Sequence, residues 1–144
     1  MIPVAPSTPH TDAVVGAIAA IPMLVARAKI PAGAGWQGTP GSSAFVRYAV
    51  VYPFPGTPEG NLAQPYEYLN YQAQISIFGA TATQAEDGFD DVNAALIGQR
   101  LTVAGRSTYP VQAPPGQRPL RRDDSLPVPV YMAVVEIEFR SQPA

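Results

Sequence analysis

The apolar positions along this chain change period several times, and its prolines mark where each period stops. Proline fixes φ and removes a backbone donor, so the proline-free windows 10–21, 23–30, 41–52, 66–109 and 130–142 are where regular structure is expected. In the first window Val14, Ile18 and Ile21 fall at i, i+4 and i+7 with Val15 alongside. That spacing predicts a helix over about 9–20, opened by Thr8-Pro9 or Thr11-Asp12. The segment 23–30 (MLVARAKI) alternates Leu24, Ala26, Ala28 and Ile30 with Val25, Arg27 and Lys29, and 44–52 (AFVRYAVVY) sets Val46, Tyr48, Val50 and Tyr52 against Phe45, Arg47 and Ala49. Both read as strands, expected to lie antiparallel to each other.

The long window holds the clearest change of period. Tyr71, Ala73, Ile75 and Ile77 alternate with Gln72, Gln74 and Ser76 up to Gly79, after which Ala82, Ala85, Phe89, Val92 and Leu96 recur at threes and fours. Two overlapping capping boxes, Thr81-x-x-Gln84 and Thr83-x-x-Glu86, predict the start of this helix, and Gly98 its end. Leu101–Val103 reads as a short strand, and 105–129 as irregular, because Pro114-Pro115-Gly116 forbids a continuous ladder. In the last strand Tyr131, Ala133, Val135, Ile137 and Phe139 face one way and Glu136, Glu138 and Arg140 the other. The order predicts an α+β fold: a two-layer sandwich with two helices packed on one face of a largely antiparallel sheet of four to five strands. Its expected core is Ile75, Ile77, Phe89, Val92, Leu96, Val135, Ile137 and Phe139. A single domain over 1–144 is expected, with long loops at 31–43, 53–69 and 105–128.

Composition narrows the function classes. Charged residues make up 14% of the 144, against a typical ~25%, while there are 17 prolines and 12 glycines. Nine Lys and Arg against eleven Asp and Glu give a net charge of −2, with no basic run able to track a phosphate backbone, which argues against a nucleic-acid-binding module. With no cysteine, disulfides, thiolate nucleophiles and Cys-ligated zinc are excluded. No apolar run approaches the ~20 residues that span a bilayer, so a soluble, unprocessed chain without membrane contact is expected.

Little of the chemistry converges. His10 is the only histidine and is expected at the surface, since an effective base needs a positioned partner. Glu86, Asp87, Asp90 and Asp91 form i, i+4 pairs on one helix, which read first as a solvated face, next as a partner for arginines of a neighbouring subunit with Asp87 and Asp91 as interface candidates, and last as a chelating pair for a divalent cation. Gly33, Gly35, Gly38 and Gly41 around Trp36 do not match a dinucleotide or P-loop spacing. They predict a flexible loop, with Trp36 as a contact residue or a lid on the core edge. Arg118, Arg121 and Arg122 beside Asp123 and Asp124 read as a charged surface loop, and no serine sits in a nucleophile elbow. No catalytic residue, metal site or cofactor is predicted. A small enzyme or ligand-binding domain is the distant alternative, because it would need a pocket with convergent polar groups.

The whole pattern resembles the tail terminator proteins of long-tailed (siphovirus-type) bacteriophages. The likeness lies in the N-terminal helix, the strand YQAQISIFGAT running straight into the capped helix TQAEDGFDDVNAALIG, the variable loop, and the closing strand VPVYMAVVEIEFRS, from about Thr11 to Ser141. The resemblance implies a virion protein that forms a ring, usually a hexamer, on the end of the tail tube. Such a ring stops addition of tube subunits and offers a joining surface to head-completion (stopper) proteins, while DNA passes through without sequence-specific binding. A neck protein or a tail tube subunit is the alternative within the same class. Low charge and many loops suit a protein whose work is done by surfaces. Trp36, Arg118, Arg121, Arg122, Asp87 and Asp91 are the candidate interface residues, the arginines toward acidic partners or passing DNA.

Overall fold

The structure, a computed structural model, describes residues 4–60, 63, 67–116 and 118–144. Along the chain come helix α1 (Thr8–Ala19), strands β1 (Leu24–Arg27), β2 (Gly35–Trp36), β3 (Phe45–Val46), β4 (Tyr48–Glu59) and β5 (Tyr68–Gly79), helix α2 (Ala82–Leu96), and strands β6 (Arg106–Thr108), β7 (Arg121–Asp123) and β8 (Val130–Pro143). One curled, six-stranded sheet has the order β1-β4-β5-β8, with β6 and β7 both on the outer side of β8, one toward each end. A separate hairpin pairs β2 with β3. The α+β class holds, but the sheet is larger than the expected four to five strands, and curled. The added strands β6 and β7 are three residues each, short enough to fit between prolines in a stretch that reads as irregular.

The core lies between one face of this sheet and both helices. In β4, β5 and β8 the register Val51↔Ile75↔Val135 puts residues of odd number on the helix side. Ala49, Val51, Tyr71, Ala73, Ile75, Ile77, Val135, Ile137 and Phe139 join Val14 and Ile18 of α1 and Val92 and Leu96 of α2 in one buried cluster. Full burial of each large aliphatic side chain stabilises by roughly 1.5–3 kcal/mol. Of the expected core, only Phe89 falls outside, half-buried at the margin. Gly88 takes the centre of the helix underside in its place. A Cβ there would stand 2.7 Å from Ile77 Cγ2 and 3.2 Å from Met23 Cε, so α2 approaches the sheet too closely for any side chain.

The helix ends follow their sequence signals unevenly. Thr81 Oγ1 accepts from the Gln84 amide at 3.1 Å and Gln84 Oε1 from the Ala80 amide at 2.7 Å, and Gly98 beyond the helix has φ +79°. At α1 neither Thr8 nor Thr11 is the cap. Ser7 holds that place without a side-chain bond, and Pro9 sits in the first turn.

Three expectations are corrected along the first half of the sheet. β1 pairs β4 in parallel, Leu24↔Tyr48 to Arg27↔Val51, because the intervening segment is long enough to cross over and carries the β2–β3 hairpin. β1 stops at Arg27, where Ala28 turns to φ +55°. The strand expected over 44–52 is divided at Arg47, and its second part, β4, runs on through Pro53, Pro55 and Pro58 to Glu59, so much of the expected loop 53–69 is strand. Residues 61, 62 and 64–66 of that loop lie outside the described residues. Val51 explains how prolines are accommodated. Its carbonyl accepts from the Ala28 amide at 2.9 Å, so odd-numbered residues of β4 turn their backbone polar groups toward β1. The next donor in that parallel ladder would be the amide of residue 53, and proline has none. Past Arg27 no described strand lies on that side, and proline is tolerated on a free edge. The short strand expected at Leu101–Val103 is absent among the described residues; Val103 instead buries its side chain and β6 begins at Arg106.

Two glycine-to-alanine substitutions separate packing from propensity. Gly16→Ala in α1, where a Cβ would meet open space, is expected to stabilise by up to about 1 kcal/mol. Gly88→Ala gains the same propensity but strikes buried Ile77, and is expected to lose about 1–3 kcal/mol net. Urea unfolding midpoints moving in opposite directions would verify the close approach of α2.

Candidate functional site

His10 is buried, not at the surface, and it joins α1 to the end of β8. Nδ1 lies 2.9 Å from the Pro6 carbonyl, which can only accept, so Nδ1 carries the proton and Nε2 is left to accept. Nε2 stands 2.6 Å from Ser141 Oγ, which therefore donates to it and itself accepts from Arg106 Nε at 3.2 Å. Arg106 Nη2 donates to the carbonyls of Ser141, at 2.9 Å, and Glu67, at 3.1 Å. The imidazole stacks on Tyr71 with ring centres 5.8 Å apart, and the Tyr71 and Thr11 hydroxyls share a 2.7 Å hydrogen bond. A hydroxyl bonded to an imidazole is the pairing of a nucleophile with its base. Here both side chains are 0% exposed and the imidazole is oriented by a carbonyl, so what the arrangement does is dock α1. Burial holds the His10 pKa below its usual 6.5, and nearby Arg106 adds to this against the opposing Pro6 carbonyl.

The surface residues singled out in the sequence occupy three separate places. Trp36, in β2, meets Phe45 of β3 edge to face at 5.0 Å; Phe45 stacks on Tyr48 at 6.1 Å and Tyr48 on Phe78 at 4.8 Å. This line of four rings ties the hairpin to the face of the sheet away from the helices. Trp36 Nε1 is buried without an acceptor among the described residues. Arg121 and Arg122 belong to β7, paired with Met132 and Tyr131 of β8. Arg122 Nε donates to Asp124 at 2.6 Å, while Asp123 Oδ1 accepts from the Ser125 amide and hydroxyl, so the charged loop is a strand followed by a side-chain-capped turn. Arg118 reaches Glu136 at 3.3 Å and borders, with Glu86, Phe89, Asp90 and Leu120, a surface cavity of 200 Å³ beside α2. The structure thus brings Arg118 to the acidic helix, but to its Glu86 and Asp90 flank. Asp91 faces the other way onto Arg47 Nη2 at 2.5 Å, and Asp87 is exposed.

Two features escape a reading of the sequence. A 330 Å³ open cavity on the helix-free face is lined by Asn70, Gln72, Tyr109, Gln112, Glu138 and Arg140 among others. Arg140 is held there by Asn70 Oδ1 and Glu59 Oε2, both at 3.2 Å, and lies 5.1 Å from the Tyr68 ring centre. The alternating Gln72, Gln74, Glu136, Glu138 and Arg140 mark a wet face, but not which loop closes over it. The network around His10 left no signal, because its members stand as far apart as positions 10 and 141. Among the described residues no three His, Asp or Glu side chains gather in a way that would hold a metal ion, and no helix is long and apolar enough to cross a membrane.

No protein-family model matches the sequence, and no curated protein does. Among solved structures the chain is similar to one from the virion of a native gene transfer agent (GTA) particle, with a TM-score of 0.51. That likeness covers 93% of this chain and 87% of the other at 14% sequence identity, and is a likeness of fold.

The His10 network sets a pH dependence of stability. With its folded pKa depressed, His10 contributes stability that is fully present above the unfolded value near 6.5 and is lost as pH falls below that value toward the folded one. Urea unfolding between pH 8 and 5 should show native stability declining over the acid half of that range. His10→Gln should lose about 2–4 kcal/mol at pH 8 through broken bonds and packing, and should flatten that decline.

Proposed function

We propose that this chain is a structural protein of a phage-like virion, and within it a tail terminator: a ring, hexameric by resemblance, that caps the tail tube and receives the head-completion protein. The observation that carries the reading is the shared fold with a chain of the GTA virion over nearly the full length of both. The distribution of chemistry supports it. The one hydroxyl–imidazole pair is sealed in the core, while the polar and aromatic groups at the surface lie on separate strands, turns and grooves. Such a surface is suited to contacts between subunits. A closed ring needs two different patches of one subunit to meet around an axis, and the two sides of this sheet differ: β4 is long and rich in proline, whereas β8 is fringed by β6 and β7. On this reading Arg118, Arg121 and Arg122, with the segment 105–128 that holds them, face the head side, and the ring lumen lets DNA pass.

Assembly of particles without this chain should give tails of uncontrolled length that fail to join filled heads, as seen by electron microscopy. Supplying the chain with Arg118, Arg121 and Arg122 all changed to Ala should restore tail length and reduce joining about tenfold or more, since contacts across an interface that lose charged partners commonly cost more than ~1.4 kcal/mol. Tails of normal length joined to heads in the absence of the chain would end the terminator reading. Open filaments of the purified protein would move it to the tube subunit.

A further inference from the structure

Among the described residues, the outer edge of β4 beyond its pairing with β1 is the longest stretch of unpaired strand in the sheet. β1 covers only Tyr48 to Val51, and no described strand lies beside 52–59 on that side. Tyr52 and Phe54 on this stretch are 41% and 48% exposed. A long, apolar free edge is a template for another strand, because its outward amides and carbonyls have no partner.

The direction of each backbone group follows from two observations. The Val51 carbonyl accepts from Ala28 of the β1 side, so residues 51 and 53 turn their backbone outward while Tyr52 and Phe54, opposite Gln74 and Gln72, turn theirs to β5. A bulge then shifts the register by one residue between Phe54 and Thr57, after which Pro58 stands opposite Leu69. Leu69 has the parity of Ile75, whose backbone turns to β8, so Pro58 turns outward in its turn. The shift is built in: Gly56 lies in the bulge, where a Cβ would stand 2.5 Å from Leu69 Cδ1. Among the paired residues, 53 and 58 are therefore the positions that would point an amide out of this edge, and both are proline; of the two bulge residues opposite Tyr71, Pro55 has no amide either and Gly56 keeps one. Without the bulge Pro58 would face inward and cost a ladder bond to β5.

We propose that Pro53, Pro55 and Pro58 seal the β4 edge against strand addition, so that neither a second copy of this chain nor an extended segment of another protein can continue the sheet there. At 53, 55 and 58 an incoming strand would find no amide to accept, and of this stretch only the Gly56 amide in the bulge would be left to donate. On this side of the sheet extension by a neighbour is then limited to the four residues of β1, and on the other it would run along β6, β7 and β8. This holds whichever virion component the chain is, so it stands or falls apart from the terminator reading.

The test restores the donors. In the single variants Pro53→Val, Pro55→Thr and Pro58→Thr, the new amide is expected to exchange with solvent within about tenfold of an unstructured peptide, while the amides of Tyr52 and Phe54 stay protected. The triple variant, shown to be folded by that same protection, is expected to form species at least about twice the native mass as its concentration rises, measured by light scattering. Strong protection of the new amides in the single variants at low concentration would mean that they face inward and would overturn the proposal. So would a folded triple variant that keeps the native size throughout. Should the triple variant fail to fold, the exchange rates of the single variants decide.

Discussion

β5 is paired along nearly its whole length on both sides, with β4 on one and β8 on the other, and this double ladder sets the direction of nearly everything else. A strand bound on both edges cannot slip by one residue without turning Tyr71, Ala73, Ile75 and Ile77 out to solvent, so its register is held by the burial of four side chains at once. The neighbours inherit the parity. Val51 and Val135 stand beside Ile75, the helices cover that face, and the tight β5–α2 turn at Gly79 sets where α2 begins; a Cβ on Gly79 would lie 2.7 Å from the Ala85 amide. The same parity decides which backbone groups of β4 meet β5 and which are left at the edge.

Periodicity was informative where a segment answers to one neighbour. Ile75, Ile77, Val135, Ile137 and Phe139 alternate because one sheet face is dry, and Val92 and Leu96 recur because one helix face is. It failed where a residue's role depends on how close two elements come. Phe89 fits the helical stripe by spacing, yet Gly88 lies at the contact, and only the distance between α2 and Ile77 could say so. Proline misled for a related reason. A proline forbids a donor on one side of a strand, and the sequence does not reveal whether that side is occupied. In β4 no described strand occupies it beyond Val51, so prolines that read as the end of a strand lie within one.

The surface was less legible than the core. His10 reads as solvent-exposed because all its partners but the Pro6 carbonyl are far from it in sequence, and the fold supplies Ser141, Arg106 and Tyr71 from three strands. Trp36 stands out as the only tryptophan, but its line of contacts through Phe45 and Tyr48 to Phe78 requires the hairpin and the sheet to be placed first. The basic trio looks like one patch in sequence. In the fold, the strand β7 and the salt bridge to Glu136 divide it, with Arg118 beside α2 and Arg121 and Arg122 along β8.

Charge is arranged here for short range. Arg27 with Asp12, Arg47 with Asp91, Arg118 with Glu136, Arg122 with Asp124 and Arg140 with Glu59 are ion pairs, and Arg100 and Arg106 donate to main-chain carbonyls. Exposed pairs of this kind contribute little to stability, about 0–1 kcal/mol each. Their larger effect is to cancel one another's field a few ångströms from the surface, in a chain of net charge −2. Such a molecule has little means of steering a partner from a distance or of holding a polyanion that slides past. Beyond charged side chains that act only on direct contact, such as Arg121, what can select a neighbour is shape and the pattern of backbone donors and acceptors at its margins. Specificity of that kind depends on where the sheet is closed and where it is left open, and here the prolines of β4 and the short strands along β8 make those two margins unlike.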